Sequence, residues 1–343
     1  MTTYQGRRAA AIENEHLRVT VLEEGGHLAA ILDRETGINP LWTPPWRSIE
    51  PSAFDAEKHA AYGAGAEAKL LAGIMGHNLC LDVFGGPSAE EAAAGLTVHG
   101  EGSLVRYDIS THDGALVTRA RFPMAQIGFE RRIELRGRAV IIREAVENLT
   151  VYDRPIAWTQ HVTLGPPFLE KGVTQFRSSA TRSKVFETGF GAHDYLRVGA
   201  EFDWPFAPRL DGSRADLQLM NGDAASSAFT THLMDPAREN AFFVAFAPSA
   251  RLAFGYVWKQ SDFPWMGIWE ENHSRAQAPW SGKTLARGME FGVSPMPETR
   301  RQMIGRGSLF GIPAYRWLPA RSRIEAEYSA LTARADTIPV SIG

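Results

Sequence analysis

Residues 16–37, HLRVTVLEEGGHLAAILDRETG, carry a clear strand pattern near the start of the chain. Apolar and polar residues alternate over residues 16–22, which is the period of a half-buried strand. Gly25 and Gly26 then supply a turn, a second apolar run follows over residues 27–32, and a polar cluster ends it. Two such runs joined by a glycine-containing turn predict an antiparallel β-hairpin.

The same alternation recurs along most of the chain, with Gly, Pro, Asn and Asp between the runs. Further strands are predicted at 104–111, 115–121, 127–135, 139–148, 156–164, 241–246, 252–258, 267–271 and 324–331. Ala/Glu-rich stretches at 53–71 and 88–94 predict short helices inside a long connection. Many short strands with few helices predict an all-β protein, a large antiparallel β-sandwich. Because no repeat or long linker divides the chain, a single domain over residues 1–343 is expected.

The composition excludes several classes of function. The chain has 343 residues, with 36 Lys and Arg against 39 Asp and Glu and a net charge of −3. No basic stretch is available to neutralise a phosphate backbone, so no nucleic-acid partner is expected. The sequence contains no run of about 20 apolar residues, so no membrane span is expected. The polar amino terminus lacks the apolar core of a secretory signal, so a cytoplasmic location is expected. The single cysteine, Cys80, excludes a disulfide framework within the chain.

Polar and aromatic residues concentrate in four segments that interrupt or end the predicted strands, at 73–86, 96–102, 158–170 and 263–273. Aromatic side chains offer flat apolar faces to the C–H groups of a pyranose ring, while Asn, Asp and Gln bond its hydroxyls. Histidine and carboxylate side chains exchange protons near neutral pH. A neutral polyol needs no strong positive field, which agrees with the small net charge. These segments favour a small-molecule carbohydrate as the partner.

Four motifs along the chain resemble those of the aldose 1-epimerase, or galactose mutarotase, superfamily. They are Ile12–Leu17 with Gly25-Gly26 and Leu41-Trp42; His99-Gly100; Glu147–Thr150 with Gln160-His161; and Trp269–Asn272 with Pro279-Trp280 and Arg287–Glu290. The motifs occur in the same order as in that superfamily. The resemblance implies an antiparallel β-supersandwich of the galactose mutarotase type, with the sugar held on one concave face and no cofactor.

The resemblance also implies an isomerase, an aldose 1-epimerase-like enzyme that interconverts the anomers of a free sugar or sugar derivative. A base removes the proton of the anomeric hydroxyl while an acid protonates the ring oxygen, and the ring closes again as the other anomer. By resemblance, Glu270 is the general base and His161 the general acid, while His99 positions the substrate. Asp203 resembles an aspartate that holds a sugar hydroxyl. Further substrate contacts are expected from His77, Asn78, Trp158, Gln160, Trp269 and Glu271.

The sequence also departs from the superfamily. The arginine that contacts the sugar is missing from the stretch Gly76–Cys80, which leaves the substrate open among hexose, pentose, 6-deoxy sugar, uronic acid and the reducing end of an oligosaccharide. Strand alternation turns the carboxylates of Glu270 and Glu271 to opposite faces, so only one of them can be the base. Glu270 is preferred, because Asn272 then stands where the superfamily has a glutamine. Arg287 and Glu290 are expected to be structural residues at the surface.

Two other functions stay open. A non-catalytic carbohydrate-binding protein of the same fold would keep the aromatic residues without needing Glu270. A different carbohydrate-active enzyme, such as a lyase, another isomerase or a metal-assisted enzyme, is the third hypothesis. In a metal-assisted enzyme, His77, His99, His161 and a carboxylate would be the metal ligands. Because no H-x-H, H-E-x-x-H or cysteine cluster supports a metal site, no metal is expected. The oligomeric state is left open.

Overall fold

A computed structural model describes residues 2–342, which are organised mainly as β-strands. In chain order the strands are β1 (Thr2–Tyr4), β2 (Arg7–Glu13), β3 (Leu17–Leu22), β4 (Leu28–Asp33), β5 (His77–Asp82), β6 (Asp108–His112), β7 (Ala115–Phe122), β8 (Ile127–Arg136), β9 (Ala139–Asn148), β10 (Arg154–Leu164), β11 (Gln175–Ser178), β12 (Ala180–Val185), β13 (Glu201–Asp203), β14 (Phe206–Pro208), β15 (Arg214–Asp216), β16 (Ser226–Met234), β17 (Asn240–Ala247), β18 (Leu252–Lys259), β19 (Trp265–Asn272), β20 (Leu285–Gly292), β21 (Ser308–Leu309), β22 (Ile312–Pro313), β23 (Arg316–Leu318) and β24 (Arg323–Arg334).

The helices are short. They are α1 (Ala68–Gly73), α2 (Ala89–Ala93) and α3 (Arg300–Arg306), with 3₁₀ turns at Pro51–Ala53, Ala60–Tyr62, Gly65–Glu67 and Pro248–Ala250. None of the helices within residues 2–342 has the length and apolar character that a membrane span requires.

Most of the strands assemble into two large antiparallel sheets. The twelve-stranded sheet has the order β1-β2-β3-β4-β5-β10-β20-β19-β16-β12-β13, and β23 pairs with β10 beside this path. The eight-stranded sheet has the order β11-β17-β18-β24-β9-β8-β7-β6. Two small ribbons, β14-β15 and β21-β22, complete the described chain. The predicted all-β antiparallel fold class is confirmed.

The hairpin predicted from the first quoted segment is present as β3 and β4. Leu17 pairs with Asp33, and Thr20 pairs with Ala30. Gly26 in the connecting turn has a φ of +57°, and a Cβ there would stand 2.6 Å from the ring of Tyr107. Only glycine fits this turn, because it combines a left-handed backbone with close contact to an aromatic ring.

The central strands of the larger sheet are buried on both faces, and they present alternate residues to each face. One face packs on the eight-stranded sheet and contributes Trp158 and Met289 to the main apolar core. The opposite face, called the outer face from this point, carries a second apolar cluster that includes Trp42, Trp269 and Trp280. Connections between strands cover this outer face and create the setting for the site.

The helical expectations hold in part. The stretch 53–71 forms two 3₁₀ turns, part of a third and the first turn of α1 rather than one helix. Gly63 and Gly65 interrupt it, because both have positive φ values, +91° and +74°. The stretch 88–94 contains α2, as predicted. Helix α3 has no counterpart in the prediction.

Candidate functional site

A pocket with a volume of about 190 Å³ lies on the outer face of the larger sheet. An engineered cavity of about 150 Å³ in another protein holds benzene, so this pocket has room for a substituted six-membered ring. Strands β10, β16, β19 and β20 contribute His161, Thr163, Phe229, Trp269 and Glu290 to the lining. Helix α1 and the connections contribute Trp42, Glu67, Leu70, Leu71, Ile74, Val98, His99, Phe190, Arg275 and Trp280, among others.

His161 and Glu290 lie side by side in this pocket. They are paired in register on the neighbouring strands β10 and β20, and both face outward. The Nε2 atom of His161 is 3.1 Å from Oε1 of Glu290. Gly288 makes room for the carboxyl group, because a Cβ at that position would stand 2.3 Å from Oε1. Gly267 flanks Glu290 on strand β19. Two glycines thus allow a glutamate to lie flat against the sheet, next to a histidine.

Two buried polar atoms of the pocket have no aligned hydrogen-bond partner among residues 2–342. They are Oε1 of Glu290 and Nε1 of Trp269. The side chain of Glu290 is 2% exposed, and Trp269 is 7% exposed. An unsatisfied buried polar group costs about 1–3 kcal/mol, and native structures rarely keep one without a reason. A carboxyl oxygen and an indole N–H in one pocket therefore indicate a place for a polar ligand.

His99 completes a cluster of three titratable side chains, called the acid/base cluster (His99, His161 and Glu290). The Nδ1 atom of His99 is 2.6 Å from the carbonyl oxygen of Phe84. Because a carbonyl oxygen only accepts, Nδ1 is the donor, and Nε2 keeps its lone pair. The rings of His99 and His161 are 4.9 Å apart between centroids. The cluster therefore combines a potential proton acceptor with the His161–Glu290 contact.

Burial controls the protonation of the acid/base cluster. Removal from water raises the pKa of Glu290 to about 8. Burial lowers the pKa of His99 to about 4 and holds the pKa of His161 well below its usual value, where the nearby His99 lowers it further. Desolvation favours the uncharged form of each group. At pH 7 the carboxyl group is therefore mostly protonated and both imidazoles are neutral.

Aromatic rings and an ion-paired arginine form another part of the lining. Trp269 and Trp280 meet edge to face, with centroids 6.0 Å apart. The guanidinium of Arg275 lies 4.6 Å from the centroid of Trp280. Its Nε is 3.4 Å from a carboxyl oxygen of Glu271, and one terminal nitrogen is 3.5 Å from a carboxyl oxygen of Glu67. This part of the pocket offers flat apolar surface together with a guanidinium that already has two acidic neighbours.

The expectation that Glu270 acts together with His161 is wrong, because the two residues face opposite sides of the sheet. Glu270 is turned toward the sandwich interior, where Ser226 Oγ donates to it at 2.5 Å and the Tyr195 hydroxyl at 3.4 Å. Arg287 is its cross-strand neighbour on β20, and its charge lowers the pKa of Glu270 against the stronger effect of burial. Glu270 therefore belongs to a buried structural cluster outside the pocket.

Three other predicted contacts also point into the interior. Gln160 and Trp158 both donate to a carboxyl oxygen of Glu144 in the opposite sheet, at 2.6 and 3.0 Å. His77 lies 2.9 Å from the Gln160 side-chain oxygen and 3.0 Å from the Tyr256 hydroxyl. These side chains join the two sheets through a buried polar network and do not line the pocket.

The remaining predictions divide between the outer face and the surface. Asn78 shares the face of His161 but donates to Ser103 at 3.2 Å and does not line the pocket. Glu271 lies behind the lining, where one carboxyl oxygen accepts the main-chain N–H of Ser274 at 2.7 Å. Asp203 is exposed on β13, away from the pocket. Of the predicted site residues, the structure brings together His99, His161 and Trp269.

Glu290 is the functional candidate that sequence reasoning missed. Arg287 and Glu290 were expected at the surface, but both are buried, because strand β20 is covered on both faces. A signal was present in the sequence Gly288-Met289-Glu290-Phe291-Gly292. Strand alternation puts the two glycines on the same face as the glutamate, and Gly288 clears space for its carboxyl group.

The geometry does not assemble the histidines proposed as metal ligands. His77 faces the sandwich interior, whereas His99 and His161 face the pocket. Within the described range 2–342, no three or more His, Cys, Asp or Glu side chains are grouped to hold a metal ion.

Comparison with known proteins identifies the fold. No family model and no curated protein matches the chain. Solved structures do match: a candidate aldose 1-epimerase of Klebsiella pneumoniae is 12% identical, with a TM-score of 0.66 over 98% of this chain and 82% of that one. A galactose mutarotase-like protein from Lactobacillus casei is 14% identical, with a TM-score of 0.61 over 95% of this chain and 100% of that one. A galactose mutarotase-like protein from Clostridium acetobutylicum is 12% identical, with a TM-score of 0.60 over 97% of each chain. The chain therefore has the galactose mutarotase-like fold.

Proposed function

We propose that the chain interconverts the anomers of a free monosaccharide by acid/base opening of the sugar ring. The observation that carries the proposal is the contact of His161 with Glu290, at 3.1 Å, beside a carboxyl oxygen that lacks an aligned partner within residues 2–342. This contact lies in an aromatic pocket with room for one sugar ring. The fold is compatible with this activity, but because one fold hosts many functions the proposal is argued from the chemistry of the site.

Glu290 is assigned as the proton donor. Its raised pKa, about 8, keeps most of the carboxyl groups protonated at pH 7. A protonated carboxyl group next to the ring oxygen supplies the proton that this oxygen needs when its bond to the anomeric carbon breaks. The rate should therefore fall as the pH rises through about 8, because the donor is then lost.

His99 is assigned as the proton acceptor. Its Nδ1 is committed to the carbonyl oxygen of Phe84, so Nε2 can take the proton of the anomeric hydroxyl. The anomeric carbon then becomes an aldehyde while the bond to the ring oxygen breaks. After rotation about C1–C2, both proton transfers reverse and the ring closes as the other anomer. No proton is consumed in the cycle.

His161 is assigned as the group that positions and stabilises Glu290. Its Nδ1 lies 3.1 Å from the hydroxyl of Thr163, which orients the ring. Its Nε2 lies next to Oε1 of Glu290, where it stabilises the carboxylate that forms on proton donation. The glutamate thus donates and a histidine accepts, the reverse of the roles implied by the resemblance, because burial favours the neutral form of both groups.

The test is anomer-exchange NMR on a panel of free aldoses with the wild type and Glu290→Gln. Glutamine keeps the shape of the side chain and removes the transferable proton, so we expect the rate of exchange to fall about 10²–10⁴-fold. The melting temperature should be retained or raised, since a neutral amide suits a buried site better than a titrating carboxyl group.

The matched control is Glu270→Gln, which changes an equally buried glutamate on the opposite face of the same sheet. This variant should keep its rate of exchange and lose stability instead. Loss of exchange in Glu270→Gln with none in Glu290→Gln would contradict the assignment. Sugar binding by a wild type that accelerates no exchange would favour a carbohydrate-binding protein.

A further inference from the structure

The pocket lining combines hydrogen-bonding groups with a set of aliphatic side chains. The acid/base cluster supplies polar groups, and Glu67 and Arg275 supply a carboxylate and a guanidinium that lie close to each other. The apolar wall is defined as Leu70, Leu71 and Ile74, from helix α1 and the residue that follows it. All three side chains are at least 93% buried, so they face the pocket and its surroundings rather than open solvent.

Carbonyl oxygens of helix α1 next to the apolar wall already have partners. The carbonyl oxygen of Leu70 accepts the N–H of Ile74 at 2.8 Å. The carbonyl oxygen of Leu71 accepts the indole N–H of Trp46 at 2.8 Å, and that of Ala72 accepts the N–H of Ile49 at 2.9 Å. A sugar hydroxyl turned toward this wall would therefore leave its hydrogen bond to water without finding a good replacement.

An unsatisfied hydroxyl lowers affinity by about tenfold or more. A methyl group at the same place is favoured instead, because it buries apolar surface against leucine and isoleucine side chains. The wall thus discriminates between a sugar carbon that bears a hydroxyl and one that does not. The pocket volume of about 190 Å³ limits the ligand to a single ring with its substituents.

The charges of the pocket argue against an acidic sugar. Arg275 is the cation in the lining, but its guanidinium is close to the carboxylates of Glu67 and Glu271, at 3.5 and 3.4 Å. A substrate carboxylate or phosphate would add a third acidic group around one guanidinium. It would also lie in the same small pocket as Glu290, whose burial already disfavours negative charge.

We infer that the site selects a neutral monosaccharide that carries a methyl group where common hexoses carry a hydroxymethyl group, a 6-deoxyhexose. The methyl group packs on Leu70, Leu71 and Ile74, and the anomeric centre lies at the acid/base cluster. This inference rests on the proposed function for the reaction, while the preference itself is a property of the pocket and is measurable by binding alone.

The experiment compares three matched sets in the wild type: glucose, galactose and mannose, each with its 6-deoxy analogue and its uronic acid, in the D and L series. Anomer-exchange NMR gives kcat/KM for each sugar. In the set that is accepted best, we expect the 6-deoxy sugar to exceed the hexose about tenfold or more. The uronic acid should fall below the hexose. A hexose or uronic acid that equals or exceeds its 6-deoxy analogue in every set overturns the inference.

Binding separates the failure of this inference from the failure of the proposed function. If no sugar exchanges faster than in buffer, the proposed function fails, and the same sets are ranked by Kd from quenching of tryptophan fluorescence. A 6-deoxy preference of about tenfold in Kd then supports the inference. Equal affinities, or no binding in any set, overturn it.

The variant Leu70→Asn tests whether the apolar wall sets the preference. An amide on this wall can bond a hydroxyl, so the ratio of 6-deoxy sugar to hexose in kcat/KM should fall about fivefold or more. The matched control is Ile304→Asn on helix α3, where the side chain is 44% exposed and outside the pocket. Its ratio should equal that of the wild type. Leu71→Thr replaces Leu70→Asn if the latter does not fold, and an unchanged ratio in the folded variant contradicts the role of the wall.

Discussion

Two buried glutamates on neighbouring strands of one sheet face opposite ways, and their surroundings differ. Glu270 faces the sandwich interior, where Ser226 and Tyr195 donate to it and Arg287 is its cross-strand neighbour. Glu290 faces the outer pocket, where Oε1 lacks an aligned partner among the residues described. Burial raises the pKa of both carboxyl groups. At Glu270 the arginine and the hydrogen bonds oppose that rise, whereas at Glu290 burial acts alone.

The burial of a carboxyl group therefore does not by itself indicate function. A buried carboxyl group that accepts hydrogen bonds and lies near an opposite charge is typical of a structural cluster. A buried carboxyl group with free bonding capacity, next to a histidine and open to a pocket, is typical of a site for proton transfer. The two glutamates therefore predict opposite responses to substitution, one in stability and one in activity.

The largest expected effect is on the interior side. Arg287→Met removes the buried cation whose charge favours an ionised Glu270, together with the hydrogen bonds that Arg287 donates to the carbonyl oxygens of Leu217 and Leu219, so we expect a loss of about 3–5 kcal/mol in the free energy of unfolding. Urea denaturation at pH 7 measures this loss. The double variant Arg287→Met with Glu270→Gln should recover part of it. A single variant that loses less than about 1 kcal/mol would show that Glu270 does not depend on this arginine.

The next effect concerns the pH dependence of stability on the pocket side. The folded-state pKa of Glu290, about 8, lies above its ordinary value of 4.5. The folded chain therefore binds this proton more tightly than the unfolded chain. The stability that the bound proton contributes is fully present below about pH 4.5 and is lost as the pH rises through about 8. Glu290→Gln removes the titration. The wild type loses this stability between pH 5 and pH 9 and the variant does not. The free energy of unfolding of Glu290→Gln should therefore rise, relative to that of the wild type, by on the order of 3 kcal/mol over this range.

Urea denaturation of both proteins at pH 5, 7 and 9 checks this gain. Glu270→Gln serves as the comparison, because it should lose stability at each of these pH values by leaving Arg287 without its carboxylate. A difference between Glu290→Gln and the wild type that does not change with pH would mean that Glu290 is ionised throughout, and its assignment as the proton donor would fail.

Most of the fold could be predicted from the sequence, because period-two alternation and glycine turns are local signals. The hairpin of residues 16–37 is an example, with Gly26 required by both backbone and packing. Two parts of the fold could not be predicted from local patterns, and each has a physical reason. Residues 53–71 have the composition of a helix, but Gly63 and Gly65 divide them. The order of strands in the sheets depends on contacts between distant segments, which local periodicity does not encode.

The site could be predicted only in part. His99, His161 and Trp269 are recognisable in the sequence as polar or aromatic residues at strand ends and loops, and they line one pocket in the structure. Glu270 was chosen from a motif, and the face that a strand residue occupies changes with a shift of one position. The sequence predicts Glu290 at the surface, since a strand covered on both faces is recognised only when the covering connections are known.

The smallest expected effect tests the geometry that separates the two glutamates. Gly288→Ala places a methyl group where Oε1 of Glu290 lies, 2.3 Å from its ideal Cβ, so the carboxyl group has to rotate away from the sheet. The group keeps its chemistry but loses its position, and we expect kcat/KM for anomer exchange to fall about 10–100-fold. Anomer-exchange NMR measures the fall, and the melting temperature reports on folding.

The control for Gly288→Ala is Gly305→Ala on helix α3, where a Cβ meets nothing within 4 Å. That change should leave the rate of exchange unaltered and raise stability slightly, by about 0.5–1 kcal/mol, as alanine does in a helix. If Gly288→Ala retained full activity, the position of Glu290 against the sheet would be irrelevant to the reaction. Glu290 would then have no more part in proton transfer than its interior counterpart Glu270, and the pocket would differ from the interior only in its room for a ligand.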